Sequence, residues 1–155
     1  MRWPVFWLLT LLCASSSAET FRARVIHVAD GDSIVVILAD RRVDVRLLDI
    51  DAPERKQPYG DVSRDSLTRL CAGEVATIDA RGRDRYGRTL ARVSCRGMDA
   101  GTAQVKAGLA HVFERYAAVD SPLYALQDEA RNARRGVWSQ AGTLPPWEWR
   151  ERQRN

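Results

Sequence analysis

The stretch FRARVIHVADGDSIVVILADRRVDVRLLDI, residues 21–50, decides the fold. From Phe21 to Val28 apolar and charged residues alternate and β-formers dominate, the pattern of a half-buried strand. Asp30-Gly31-Asp32 has the composition of a turn. Ser33 to Leu38 reads as a second strand, Asp40-Arg41-Arg42 as another turn, and Val43 to Ile50 as a third strand. Strands joined by such short turns can pair only antiparallel, so the three form a meander. Pro53, which cannot donate to a ladder, takes the chain out of the sheet.

Outward from this meander, Tyr59 to Cys71 reads as a helix with Val62, Leu67 and Leu70 as its buried positions, and Gly73 follows its end. Val75 to Ala80 and Thr89 to Cys95 read as strands around the loop Arg83-Asp84-Arg85-Tyr86-Gly87. Asp99 to Ala107 is a short helix ended by Gly108. Ser121-Pro122 opens a helix to about Arg135, with Leu123, Leu126, Ala130 and Ala133 as its apolar stripe. Five short strands with interspersed helices predict an α+β fold, a five-stranded OB-type β-barrel with about three packed helices. The expected organisation is a leader over 1–18, one domain over 19–140 and a loosely attached Pro/Trp/Arg-rich tail over 141–155, with packing of Trp147 and Trp149 back on the body as the alternative.

With 155 residues, 45% hydrophobic and 28% charged, the chain has the composition of one soluble globular domain, which argues against disorder and against a multi-span membrane protein. Lys56 and Lys106 are the only lysines among 24 Lys+Arg, so the net charge of +4 is carried by arginine, whose planar fork suits phosphate. Met1-Arg2, the apolar run from Val5 to Ala14 and the small residues Ser16 and Ala18 read as an export signal cleaved after Ala18. The alternatives are an uncleaved anchor or, less consistent with Leu12 before Cys13, a lipoprotein. Export leaves Cys71 and Cys95 as an even pair in an oxidising compartment, which predicts a disulfide; the alternative is two buried free thiols. His27 and His111 lack ligand spacing and read as structural.

Three segments remain that a barrel does not require: Asp30-Gly31-Asp32-Ser33, Arg46 to Glu54, and Asp84-Arg85-Tyr86-Gly87-Arg88. Taken singly they are a turn, a solvated strand face and hairpin decoration. Taken together, the meander brings Asp32 and Asp51 to neighbouring strand ends. Adjacent carboxylates repel and call for a cation or a proton, and a hard divalent ion with oxygen ligands answers that need. Glu54 stands close enough in sequence to reach a water there. Arg46 and Arg88 offer two cationic forks for a phosphate whose charge grows in a transition state.

On these motifs, in this order, and on Gly108-Leu109-Ala110 and Gly136-Val137-Trp138-Ser139, the sequence resembles the staphylococcal nuclease family from about Thr20 to Ser139. The resemblance implies a Ca²⁺ site from Asp32, Asp51 and the backbone carbonyl of Ala52. It implies Glu54 as general base, Arg46 and Arg88 as phosphate clamps, and Tyr116 in the nucleotide pocket. It further implies hydrolysis of DNA or RNA to 3′-phosphate ends by an exported, periplasmic or secreted enzyme, a monomer without stable membrane insertion. Two departures stand out: the loop Arg55-Lys56-Gln57-Pro58 is shorter than the family's basic loop, and Phe113-Glu114-Arg115 differs beside the base pocket. The alternative function is a non-catalytic OB-type module that holds single-stranded nucleic acid.

Overall fold

The computed structural model describes residues 19–154; the leader expected over residues 1–18, with Cys13, lies outside the described residues. In chain order the elements are β1 (Glu19–Val28), β2 (Ser33–Leu38), β3 (Arg41–Leu47), β4 (Ile50–Asp51), α1 (Gly60–Cys71), β5 (Val75–Arg83), β6 (Thr89–Cys95) and β7 (Met98–Asp99). There follow α2 (Ala100–Lys106), β8 (His111–Val112), α3 (Leu123–Asn132), a 3-10 turn (Gly136–Ser139) and α4 (Pro146–Arg154). Among the described residues no helix is long and apolar enough to cross a membrane.

Strands β3, β2, β1, β5 and β6 pair antiparallel in that order, and a parallel pairing of β3 with β6 closes them into the five-stranded barrel expected from the sequence. Alternation does the sorting. Ala23 and Val25, Val45 and Leu47, Ala76 and Ile78, and Ala91 and Val93 are all buried, while charged neighbours such as Arg24 and Asp44 point outward. Leu67 and Cys71 of α1 and Ala100 and Val105 of α2 cover the barrel and complete the core. Cys71 and Cys95 form the expected disulfide, fastening the end of α1 to the end of β6 across a sequence separation of 24. Closing a loop of that length contributes about 3.5 kcal/mol in the chain-entropy model.

Four sequence expectations change. The strand expected over Val43–Ile50 breaks after Leu47: Asp49 takes a left-handed φ of 65°, and its carbonyl accepts the Phe113 N–H at 2.8 Å. The chain then re-enters as β4, pairing with β8 so that Asp51 faces His111. Val62 is 48% exposed, because α1 turns Ser63 and Leu67 inward instead. Ala133 is exposed, since α3 stops at Asn132. The tail follows the alternative reading instead of hanging loose: it folds as α4 and docks, with Pro146 buried, Trp147 stacked on Phe113 with centroids 5.3 Å apart, and Gln57 Nε2 donating to the Leu144 carbonyl at 2.6 Å.

A buried polar cluster ties the barrel to its helices. Gln104 of α2, 1% exposed, donates from Nε2 to the carbonyls of Gly31 at 2.7 Å and Ser63 at 2.9 Å. Ser63 Oγ in turn donates to the Leu109 carbonyl at 2.6 Å. Gly31 packs so closely on α1 that a Cβ there would stand 1.8 Å from Ser63 Oγ. Gln104→Leu therefore strands the buried Gly31 carbonyl, and denaturant unfolding should show a loss of about 1–3 kcal/mol.

His111 is a second buried polar group, packed edge-on against Trp138 at 4.7 Å and Trp147 at 5.8 Å, with no hydrogen-bond partner at Nε2 among the described residues. Burial lowers its pKa to about 4; Asp51 opposes that shift and Arg131 adds to it. Between about 4 and 6.5 the unfolded chain then binds the proton that the folded chain refuses, so this contribution is complete above 6.5 and is lost as pH falls through that window. His111→Phe should lose less thermal stability than the parent between pH 7.5 and 4.5; equal losses would contradict this reading.

Candidate active site

The site lies where the β1–β2 turn meets the break between β3 and β4. Asp30 Oδ1 accepts the Asp32 N–H at 3.0 Å, bending the turn so that the Asp32 side chain enters the protein. There Asp32 Oδ1 accepts from Ser33 Oγ at 3.0 Å and Oδ2 from the Ala52 N–H at 2.6 Å. Asp32 and Asp51 are 4% and 2% exposed. Between them stands Arg46. Its Nη2 lies 3.1 Å from Asp32 Oδ2 and 2.9 Å from Asp51 Oδ1, while Nη1 donates to the carbonyls of Leu47 at 2.6 Å and Ile50 at 2.9 Å. The carbonyls released by the strand break thus fix the guanidinium, and the guanidinium gathers the carboxylates. The face of β3 that sequence alone would leave to solvent is covered at this residue: the Arg46 side chain is 12% exposed.

Burial pushes the Asp32 carboxyl up to about 7; Arg46 and the Ala52 N–H oppose this, and the charges of Asp30 and Asp51 add to it. One guanidinium does not fully compensate the buried negative charge. The donors on offer are oxygens only, two carboxylates and the neighbouring backbone carbonyls, the set a hard cation such as Ca²⁺ takes together with water. The residues present therefore fit such an ion. Among the described residues no group of three or more His, Cys, Asp or Glu gathers as a metal cluster, so the protein would leave part of the coordination to water or substrate oxygen.

Glu54 follows Asp51 round the loop. Its backbone N–H donates to Gln57 Oε1 at 3.1 Å, and the buried Gln57 bridges this loop to Leu144. The Glu54 carboxylate faces the same cation as Asp51: Arg150 of α4. Arg150 Nη1 lies 2.7 Å from Glu54 Oε1, and Nη2 lies 2.8 Å from Asp51 Oδ2. Burial works against the Arg150 charge, but the bonds to Asp51 and Glu54 outweigh it and raise its pKa.

Arg88 has its own partner, Asp84. Asp84 accepts from Arg88 Nε at 2.8 Å and from the backbone N–H groups of Tyr86 and Arg88 at 2.9 and 3.0 Å. Burial is the largest single influence on the Asp84 pKa and raises it, but the bonds from Arg88 and the Tyr86 N–H, with the Arg88 charge, together outweigh it and the net shift is downward. In the parallel β3–β6 ladder Arg46 pairs with Leu90, so Arg88, two residues earlier, follows the outward face that Arg46 occupies. Tyr116 is 65% exposed, its ring edge-on to Phe113 at 5.0 Å with the Arg115 guanidinium 5.9 Å from its centroid.

Sequence reasoning thus named Asp32, Arg46, Asp51 and Glu54, which the structure gathers, and Arg88 and Tyr116, which stand outside the hydrogen-bonded cluster. It missed Gln57, Ser63, Gln104 and Arg150. For Gln104 a signal was present: it lies four residues after Ala100, on the apolar face of α2. For Arg150 none was, because nothing local says where α4 will dock.

A family model described as staphylococcal nuclease homologue matches residues 44–140. The chain is 44% identical over 151 residues to an "Uncharacterized endonuclease" of Escherichia coli O157:H7, covering 97% of this chain and 91% of that protein. It is 33% identical over 157 residues to a "Micrococcal nuclease" of Shigella flexneri, covering 95% and 90%. A longer plant protein, "Staphylococcal-like nuclease CAN1" of Arabidopsis thaliana, is 34% identical over 116 residues, 74% of this chain and 35% of that one. The barrel topology and these similarities agree, and the chain belongs to the staphylococcal nuclease family.

Proposed function

We propose that this chain is a Ca²⁺-dependent nuclease that hydrolyses phosphodiester bonds of DNA or RNA to leave 3′-phosphate ends. The observation that carries this reading is the pair of buried carboxylates, Asp32 and Asp51, on one nitrogen of Arg46. Asp32, Asp51 and the Ala52 carbonyl would hold the ion, which supplies positive charge beside the reacting phosphate. Arg46, already fixed by backbone carbonyls, and Arg88, aimed by Asp84, would stabilise the charge that accumulates on the phosphate oxygens. A Glu54 carboxylate oxygen would take the proton of the attacking water as the new P–O bond forms and the bond to O5′ breaks; O5′ takes a proton from solvent water and Glu54 returns its own to solvent. Tyr116, exposed and beside Phe113, offers a face for a base.

Export to the periplasm or beyond is supported by the pattern of residues 1–18 and by the Cys71–Cys95 disulfide, a bond that persists in oxidising compartments. Family membership alone does not separate cleavage from binding, since an OB-type barrel can also hold a strand without cutting it.

Purified protein should degrade single-stranded DNA, plasmid and RNA with Ca²⁺ and not with EGTA. Glu54→Gln should lower kcat by about 10²–10⁴-fold, and Arg88→Ala by about 10²–10³-fold, with unfolding midpoints near that of the parent. Full activity in both variants would reject the assignment, equal degradation in EGTA would reject the calcium role, and affinity without cleavage under any divalent ion would favour the binding module.

A further inference from the structure

The carboxylates proposed to hold a divalent ion are also gripped from the far end of the chain. Asp51 Oδ1 accepts from Arg46 at 2.9 Å and from Arg150 Nη1 at 3.3 Å, while Asp51 Oδ2 accepts from Arg150 Nη2 at 2.8 Å. The same Nη1 reaches Glu54 Oε1 at 2.7 Å. One guanidinium therefore spans a candidate ion ligand and the candidate base, using the forked geometry that a lysine lacks. Arg150 is carried by a helix with few other attachments: Pro146 is buried and Trp147 stacks on Phe113, but Glu151, Arg152, Gln153 and Arg154 are exposed.

A divalent cation at Asp32 and Asp51 would share Asp51 with this guanidinium. Two positive charges on one carboxylate oppose each other, and because Asp51 is nearly buried while Arg150 is half-exposed, solvent screens the repulsion only in part. We propose that Arg150 sets the divalent-cation affinity of the site: without the ion its guanidinium neutralises Asp51 and Glu54, and the ion binds by loosening that grip. The inference rests on Asp32 and Asp51 being the cation site. Coupling between binding events is reciprocal, so the ion that loosens Arg150 also loosens the seat of α4 on Phe113 and Gln57.

Calcium titration by calorimetry on the full folded chain tests this, with the calcium-induced shift of the unfolding midpoint as a second readout. Arg150→Gln removes the charge, Arg150→Lys keeps the charge without the fork, and Arg152→Ala removes an exposed charge from the same helix. Arg150→Gln should bind calcium on the order of tenfold more tightly than the parent, Arg150→Lys should fall between them, and Arg152→Ala should stay within about twofold of the parent. Hydrogen exchange across residues 146–154 should quicken when calcium is added to the parent. Binding seen only in Arg150→Gln would support the proposal equally. Calcium affinity unchanged or weakened in both Arg150 variants, with the parent binding normally, overturns this inference and leaves the proposed function standing. No calcium binding by any of the proteins overturns both.

Discussion

The site depends on one guanidinium in a place that only its neighbours make tolerable. Arg46 sits on a barrel strand between Val45 and Leu47, both buried, and its side chain is itself nearly covered. It is held there because the carbonyls of Leu47 and Ile50 accept from one nitrogen, while the other donates to Asp51 and lies 3.1 Å from Asp32 Oδ2. Each group requires the rest. Without Arg46, Asp32 would be left buried with no cation beside it and Asp51 with Arg150 alone, a loss of about 3–5 kcal/mol by the usual scale for a broken buried pair. Without the break at Asp49, Asp51 would continue along β3 instead of turning back toward Asp32.

A stable arrangement would not strain to hold more charge, and this one does. Burial and neighbouring aspartates drive Asp32 toward its protonated form despite Arg46. Buried like charges of this kind are common where an enzyme prepares a position for an ion or a transition state. The supporting structure is correspondingly stiff. The Gln104–Ser63–Gly31 cluster fastens the turn that carries Asp32 to two helices, and the disulfide fastens one of those helices to β6. By contrast, α4 meets the body through buried Pro146, the Trp147 ring against Phe113 and His111, and Arg150, with the Gln57 bond to Leu144 just before it, while Glu151 to Arg154 are exposed.

The two departures from the family pattern acquire a structural meaning. The short loop after Glu54 does not project as a basic arm. Gln57 is drawn into the protein, bonding the Glu54 N–H on one side and the Leu144 carbonyl on the other. Phe113, beside the altered Glu114-Arg115 pair, holds Tyr116 at one edge and Trp147 on its face. Both segments thus lie where the chain leading into α4, and α4 itself, meet the body.

Residues 21–50 alone determined the meander, because period-two alternation and short turns leave no other pairing, and the later strands completed the barrel by the same rule. The disulfide partners and the identities of Asp32, Arg46, Asp51 and Glu54 were likewise legible, since carboxylates and arginines at strand ends have little to do in a core. The break at Asp49, the inward turn of Ser63 in place of Val62, the burial of Gln104 and the docking of Arg150 were decided only by tertiary structure. Each depends on a partner remote in sequence: Phe113 for Asp49, Leu109 for Ser63, Gly31 for Gln104, and Asp51 with Glu54 for Arg150. Local pattern records which way a side chain prefers to face. Which distant group it meets there, and whether its charge is answered, follows from how the closed barrel places its loops and its last helix.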